Sequence, residues 1–365
     1  MRKIAFICGG NSVESEISLL TGLKICKKLK EENKEFLMFY LQNDQFYLVD
    51  LLDPDFINKK KYRIGQFVKR KDRYFFQTKL KKYYFDYTLI LGHGKNIEDG
   101  SVKAYFDNLQ IPCLSESIYN GVVVQDKSIF KSFLKELKVN TLPYKVIYKH
   151  QINNGSVIKS LLNKFDFPLI VKPSTLGSSI GINKVENANQ LPNALFEASL
   201  YDNKILLEPF IENKQELNIA IIGYQDDLEV SEIESVNDNA FVLSFYDKYD
   251  YSKGNNKRII NPNISPQLKV NLENIAKKIF KSLNLCGIVR FDFILDINSQ
   301  KLYLNEANLI PGSIAYYLFE KEYSLVTLVD KYVELLIRKY KDEQLLLKKY
   351  HEGFINKIDL SKLKK

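Results

Sequence analysis

Val289-Arg290-Phe291-Asp292-Phe293, followed by Leu304-Asn305-Glu306-Ala307-Asn308-Leu309-Ile310-Pro311-Gly312, is the stretch on which the reading of this chain turns. In a strand, residues i and i+2 share a face. Arg290 and Asp292 therefore point one way and Phe291 and Phe293 the other, and Glu306 and Asn308 share a face by the same rule. The polar run Asp296 to Lys301 reads as the hairpin between the two strands. With the turn centred near Ser299, Asp292 lies opposite Glu306 and Arg290 opposite Asn308. One face of the ribbon then carries two carboxylates, a carboxamide and a guanidinium. Like charges directly opposite repel, and burying them unpaired is costly. An oxygen-liganded cation, such as Mg²⁺ held together with substrate phosphates, resolves both problems. An exposed polar face with an Arg–carboxylate pair is the plain alternative.

Two further glycine-bearing turns lie outside that ribbon. Phe167 to Lys172 is a buried strand that delivers Lys172 into a turn holding Ser174, Gly177, Ser178, Ser179 and Gly181. Backbone N–H groups of such a turn can cradle phosphate, with the lysine as a point charge on it. The order of residues is not that of a Walker A loop. The other turn is Gly9 to Ser18, at the end of the first strand, where open α/β sheets place ligands. It lacks GxGxxG spacing, so a nicotinamide cofactor is not indicated. Either Glu14 or Glu16 could serve the dipole of the following helix, which leaves the other to be explained.

Along the chain, Lys3 to Ile7 reads as a strand and Ser15 to Lys30 as a helix. A second apolar run, Tyr87 to Leu91, ends at Gly92-His93-Gly94, and Asp99 is placed to cap a helix through Phe106. This alternation predicts an N-terminal parallel-sheet, Rossmann-like α/β domain over 1–115. Between its halves, Phe46 to Phe85 reads as short strands with basic turns. Helices at Lys127 to Leu137 and Ala188 to Leu200 alternate with strands near Pro143 to Tyr148 and Lys204 to Pro209. Strands at Leu217 to Ile222 and Leu228 to Glu234 follow, with a helix near Gln267 to Leu283 and a last one at Leu325 to Leu347. The expected divisions are 116–210, 211–340 and a helical end with a basic tail over 341–365.

The bulk properties exclude several classes. The chain has 365 residues, enough for two or three domains, with 45% hydrophobic and 27% charged residues. No apolar run approaches the ~20 residues that span a bilayer. The start of the chain lacks a signal-peptide core, so a cytoplasmic protein without membrane partners is expected. Cys8, Cys26, Cys113 and Cys286 show no CxxC spacing, which argues against zinc and disulfides. Three histidines are too few for a histidine-built metal centre. The net charge of +9 raises nucleic-acid binding, but the basic residues read as spread along the chain and no nucleic-acid module accompanies them.

Taken in order, the motifs resemble the D-alanine–D-alanine ligases of the ATP-grasp superfamily over residues 3–335. They are GGxSxExExS (Gly9 to Ser18), HGxxxEDG (His93 to Gly100), Asp126-Lys127, KPxxxGSSxG (Lys172 to Gly181), Glu208-Pro209-Phe210, RxDF (Arg290 to Phe293) and NExNxxPG (Asn305 to Gly312). The resemblance implies a three-domain ATP-grasp fold that makes D-alanyl-D-alanine for peptidoglycan precursors through a D-alanyl phosphate. By similarity, Lys127, Lys172, Glu208, Phe210 and Glu216 would serve ATP, and Asp292, Glu306 and Asn308 would bind Mg²⁺, as two ions, or Mn²⁺ in its place. Glu14 would take the first D-alanine's ammonium, with Ser178 and His93 beside it, and Arg290 with the Gly312 N–H would hold the oxyanion. Lys248 and Tyr249 would belong to a mobile lid over 241–260, Lys248 reaching the γ-phosphate. A homodimer is the family's habit.

Two departures stand out. Ile97 replaces a usual glycine in the HGxxxEDG turn, and Tyr317 stands where many members place a serine for the second substrate's carboxylate. By that position Tyr317 is a substrate-binding residue whose phenol could still donate a hydrogen bond, in a pocket reshaped by its larger side chain. The competing products are D-alanyl-D-lactate and D-alanyl-D-serine, with a non-catalytic ATP-binding protein as the rival of another class. A histidine-free lid favours the dipeptide.

Overall fold

The computed structural model describes residues 2–162, 165–236 and 258–346, and builds the chain around four sheets. The strand Ile4–Gly9 sits mid-sheet and is buried throughout. It pairs in parallel with Phe36–Gln42 and with Tyr87–Ile90, and Cys113–Leu114 continues the parallel order. Gln45–Val49 and Tyr62–Ile64 add an antiparallel edge. Its side chains alternate between two cores, as period two requires when both faces are covered. Ala5 and Ile7 pack with Phe39, Phe67, Phe76 and Phe106, whereas Phe6 and Cys8 pack with Leu19, Leu23 and Cys26 of helix Ser15–Glu31. The short strands expected over 46–85 include a separate antiparallel sheet, Gln66–Arg70, Arg73–Gln77 and Lys82–Phe85. Its Phe67, Phe76 and Phe85 close the first of those cores.

The second sheet comprises Lys145–Tyr148, Lys204–Pro209, Leu169–Pro173 and Asn183–Val185, antiparallel throughout, with helix Leu191–Ser199 packed on it. The third runs Arg258–Ile260, Asp227–Val236, Lys214–Tyr224, Cys286–Asp296, Lys301–Asn308, again antiparallel. Helix Pro266–Ser282 buries Leu272, Ala276 and Ile279 against Phe291 and Phe293. Helix Leu325–Gln344 packs Val329 and Tyr332 with Ile288 and with residues of the first helix. The third sheet thus has its apolar side filled by a helix. Part of its other side faces a cavity shared with the first two sheets.

One local expectation needs correcting. The helix at 101–108 is preceded by Gly100 in a left-handed conformation, not by Asp99 at the capping position. Asp99 still accepts from the Ser101 N–H (2.9 Å), from one residue further back.

Candidate active site

The third sheet places its polar groups on one face, in two neighbouring register rows. Asp292 is opposite Glu306 and Arg290 opposite Asn308, as the sequence pairing had it. The reason includes a β-bulge. Near the turn Phe293 pairs with Leu304, and the next pair is Asp292 with Glu306, so Asn305 is an extra residue on its strand. Without it Asp292 would face Asn305, and Glu306 and Asn308 would turn toward the core. Across the sheet the row continues, with Asp292 opposite Asn218 and Asn218 opposite Glu234. Nothing in the local sequence flagged Glu234, because it joins the row only through two long-range strand pairings.

These charges are compensated within the protein. Arg290 donates from Nε and one terminal nitrogen to the two Asp292 oxygens, both at 2.7 Å, and Asn308 Nδ2 adds a bond at 3.1 Å. Lys127 Nζ lies 3.5 Å from Glu306 and donates to the Leu176 carbonyl at 2.6 Å. The Asp126-Lys127 pair has a local explanation. Asp126 caps helix Lys127–Glu136 by accepting from the Ser128 and Ile129 N–H groups, and also takes Lys204 Nζ at 2.8 Å. The cap fixes the helix start, and the start aims Lys127 into the cavity.

One turn along the same helix, Lys131 is almost fully buried and lies 2.7 Å from Glu208, though off the line of a hydrogen bond. Lys172 holds the other Glu208 oxygen at 2.6 Å. Burial pushes the Glu208 carboxyl up, but Lys172 and Lys131 more than offset that and keep it below its ordinary range. Sequence reasoning had missed Lys131, although its i+4 spacing from Lys127 puts both on one helix face. Phe210 lines the cavity with Lys184 Nζ 4.3 Å over its ring, and Glu216 is paired with Lys214 at 2.5 Å.

At the far end, the two glutamates of the first turn divide their work. Glu16 is exposed in the first turn of its helix, whereas Glu14 is buried and faces the cavity. Ser178 donates to Glu14 Oε1 at 2.5 Å, and Oε2 has no hydrogen-bond partner among the described residues. Desolvation, then the nearby Glu98 charge, raises the Glu14 pKa. His93 Nε2 is 3.1 Å from the Thr21 hydroxyl, and Nδ1 stands 4.0 Å from Glu98. Gly94 has φ +86°, and a Cβ there would fall 2.7 Å from Glu14 Oε2. Ile97 is buried and occupies the space left by two glycines: a Cβ on Gly10 or Gly92 would meet it at 2.5 or 2.7 Å. The departure at Ile97 is therefore absorbed by packing.

Gly312 lines the same cavity. After it, Ser313, Ile314 and Ala315 are all left-handed with φ near +50°, a conformation that costs about 1–2 kcal/mol per non-glycine residue. This turn leaves Tyr317 half-buried, with its hydroxyl donating to Glu234 at 3.1 Å. Lys248 and Tyr249 lie outside the described residues.

A single cavity thus brings together Glu14, His93, Lys127, Lys172, Ser178, Glu208, Phe210, Glu216, Arg290, Asp292, Glu306, Asn308, Gly312 and Tyr317. Its described lining carries seven carboxylates (Glu14, Glu98, Glu208, Glu216, Glu234, Asp292, Glu306) against five lysines and arginines (Lys127, Lys172, Lys214, Arg258, Arg290). A polyphosphate would enter this lining favourably only with added cations. The adjacent oxygen donors of Asp292, Glu306 and Asn308 fit a hard divalent ion by their chemistry.

Comparison with known proteins identifies the family. Residues 3–115 match the family model described as D-ala D-ala ligase N-terminus, and residues 133–330 match its C-terminus. A D-alanine–D-alanine ligase of Thermosipho melanesiensis is 30% identical, covering 95% of this chain and 96% of its own length. One from Sulfurovum sp. is 34% identical over 87% of this chain and 89% of its own. The crystal structure of the D-alanine–D-alanine ligase from Helicobacter pylori superposes with a TM-score of 0.74 at 26% identity, covering 92% of this chain and 98% of that one.

Proposed function

Because the chain belongs to the D-alanine–D-alanine ligase family, we infer that its cavity joins two D-alanines at the expense of ATP, with a divalent metal, to supply peptidoglycan precursors. A carboxylate is a poor acyl donor because oxide would have to leave. Transfer of the γ-phosphoryl group to the first D-alanine's carboxylate releases ADP and gives an acyl phosphate. The uncharged amine of the second D-alanine then attacks the carbonyl carbon. Phosphate departs with the C–O electron pair, and the amine loses a proton.

The residue roles are our proposal. Glu14, held by Ser178, binds the ammonium of the first D-alanine, with His93 beside it. Lys127 and Lys172 neutralise phosphate oxygens, while Glu208, Phe210 and Glu216 bind the nucleoside. Arg290 and the Gly312 N–H hold the tetrahedral oxyanion. Asp292, Glu306 and Asn308 would hold Mg²⁺, as two ions, which supplies charge neutralisation on the transferring group. Mn²⁺ fits the same oxygen donors. A cytoplasmic homodimer is the setting we propose, and among the described residues no helix is long and apolar enough to cross a membrane.

The observation that carries this reading is the pairing of one buried, half-partnered carboxylate with a carboxylate row in the same cavity. The test is phosphate release from ATP with a panel of D- and L-amino acids, with products weighed by mass spectrometry. D-alanyl-D-alanine is the expected product. Nucleotide binding without D-alanine-dependent phosphate release would instead mark a non-catalytic binder.

A further inference from the structure

The second amino acid has a carboxylate of its own, and Tyr317 cannot serve it as a serine hydroxyl would. A hydroxyl carries one hydrogen. That of Tyr317 is directed to Glu234, at 3.1 Å. Glu234 is fully buried and also accepts from Asn218 Nδ2 at 2.8 Å and from an Arg258 terminal nitrogen at 3.1 Å. The Arg258 guanidinium lies over the Tyr317 ring, its Cζ 5.5 Å from the centroid. Arg258 pairs with Val236 at the sheet edge, so it shares a face with Glu234 and with the row that holds Asp292. Arg258, Tyr317, Arg290 and Gly312 line one cavity.

We propose that Arg258 binds the carboxylate of the attacking amino acid, that Glu234 positions this guanidinium, and that the Tyr317 ring walls the pocket against larger side chains. The inference rests on the ligase reading given above. A guanidinium has five N–H donors in a planar fork and can serve Glu234 and a substrate carboxylate together. Glu234 balances part of the charge of this half-buried guanidinium and fixes its position. Arg290 has two donors on Asp292 and is assigned to the oxyanion, so it is poorly placed to take the carboxylate alone.

Hydroxylamine gives the test, because it captures the acyl phosphate without needing a carboxylate pocket. It forms D-alanine hydroxamate and releases phosphate. With the full-length enzyme, ATP, D-alanine and hydroxylamine, the ratio of dipeptide to hydroxamate reports the second subsite alone. Arg258→Met should lower that ratio by about tenfold or more, the size expected for losing a charge-assisted hydrogen bond. High D-alanine should restore it. Arg258→Lys, which keeps the charge without the fork, should fall between. Tyr317→Ser should admit D-amino acids bulkier than alanine into the product. An unchanged ratio in Arg258→Met overturns the inference, and so does a parallel loss of both products at constant ratio, which would mark a structural role. An unaltered product range in Tyr317→Ser overturns the wall. If the wild type makes neither product, the ligase reading itself fails.

Discussion

The two ends of the cavity handle carboxylate charge in opposite ways. On the third sheet, Asp292 and Glu306 are already answered by Arg290 and Lys127, so a ligand cation must displace or share an existing partner. At the first loop, Glu14 keeps one buried oxygen without a partner among the described residues, and the pKa of the group is raised. The first arrangement is stable without ligand, whereas the second costs stability until a donor group reaches that oxygen. A ligand there gains from filling an unmet need. The comparison predicts that mutations at the sheet end cost activity and those at the loop end exchange activity for stability.

The largest effect should come from the sheet. Asp292→Asn keeps the shape but removes half of the facing carboxylate pair. We expect turnover to fall on the order of a thousandfold, the scale for losing a principal electrostatic group at the reacting centre. Asp292→Ala and Glu306→Ala should likewise abolish turnover. Circular dichroism and gel filtration should report an intact fold, and near-wild-type turnover in any of the three would remove the metal assignment.

Glu14→Gln comes next and tests the other end. The half-saturating D-alanine concentration at the first subsite should rise by roughly tenfold to a hundredfold, in line with losing a bond between charged groups. Stability should move the other way. A raised carboxyl pKa means the folded state holds its proton more tightly, so that contribution is present at low pH and lost as pH rises through the folded value. The variant should therefore melt above the wild type at neutral pH, and the gap should close below about pH 4, where free glutamate also protonates. A variant that melts below the wild type at pH 7 would show that Glu14 is satisfied without a ligand.

Gly94→Ala probes the same oxygen sterically. It forces a Cβ into a left-handed position 2.7 Å from Glu14 Oε2 and 2.7 Å from Ser12 Oγ. A loss of about 1–3 kcal/mol is expected, measured as a shift in the urea midpoint. If the two ends differ as argued, the equivalent insult to a glycine away from the cavity, Gly155→Ala, should not destabilise, since a Cβ there meets nothing within 4 Å.

How much of this was legible beforehand depends on whether the cause was local. Period-two patterning put Phe291 and Phe293 in the core and Asp292 on the open face, and both are found there. The facing of Asp292 and Glu306 was also reached, yet through a turn taken as centred near Ser299. The loop actually closes between Asp296 and Lys301, half a residue earlier, and the Asn305 bulge restores the register. A bulge is set by the tertiary fit of two strands and leaves no mark in composition. Lys131 could have been found, because it follows Lys127 by four positions on a capped helix. Glu234 and Arg258 could not, since they reach the site only by pairing with strands far away in sequence.

Lys131 provides the finest test of the comparison, because it carries surplus charge within a compensated region. Removing one partner of a buried ion pair usually costs about 3–5 kcal/mol, since the other charge is left alone. Here Lys131→Met would leave Glu208 still held by Lys172 at 2.6 Å. The cluster would pass from one cation too many to balance. Burial, the largest influence, lowers the Lys131 pKa, and the neighbouring Lys172 acts in the same direction. A lysine held below its ordinary value makes the folded protein gain stability as pH climbs toward that value. The variant should lack this rise and should melt within about 1 kcal/mol of the wild type at neutral pH, the range of a volume-conserving swap. A large loss at pH 7 would mean that both lysines are needed to keep Glu208 ionised, and that this part of the cavity depends on two cations rather than one.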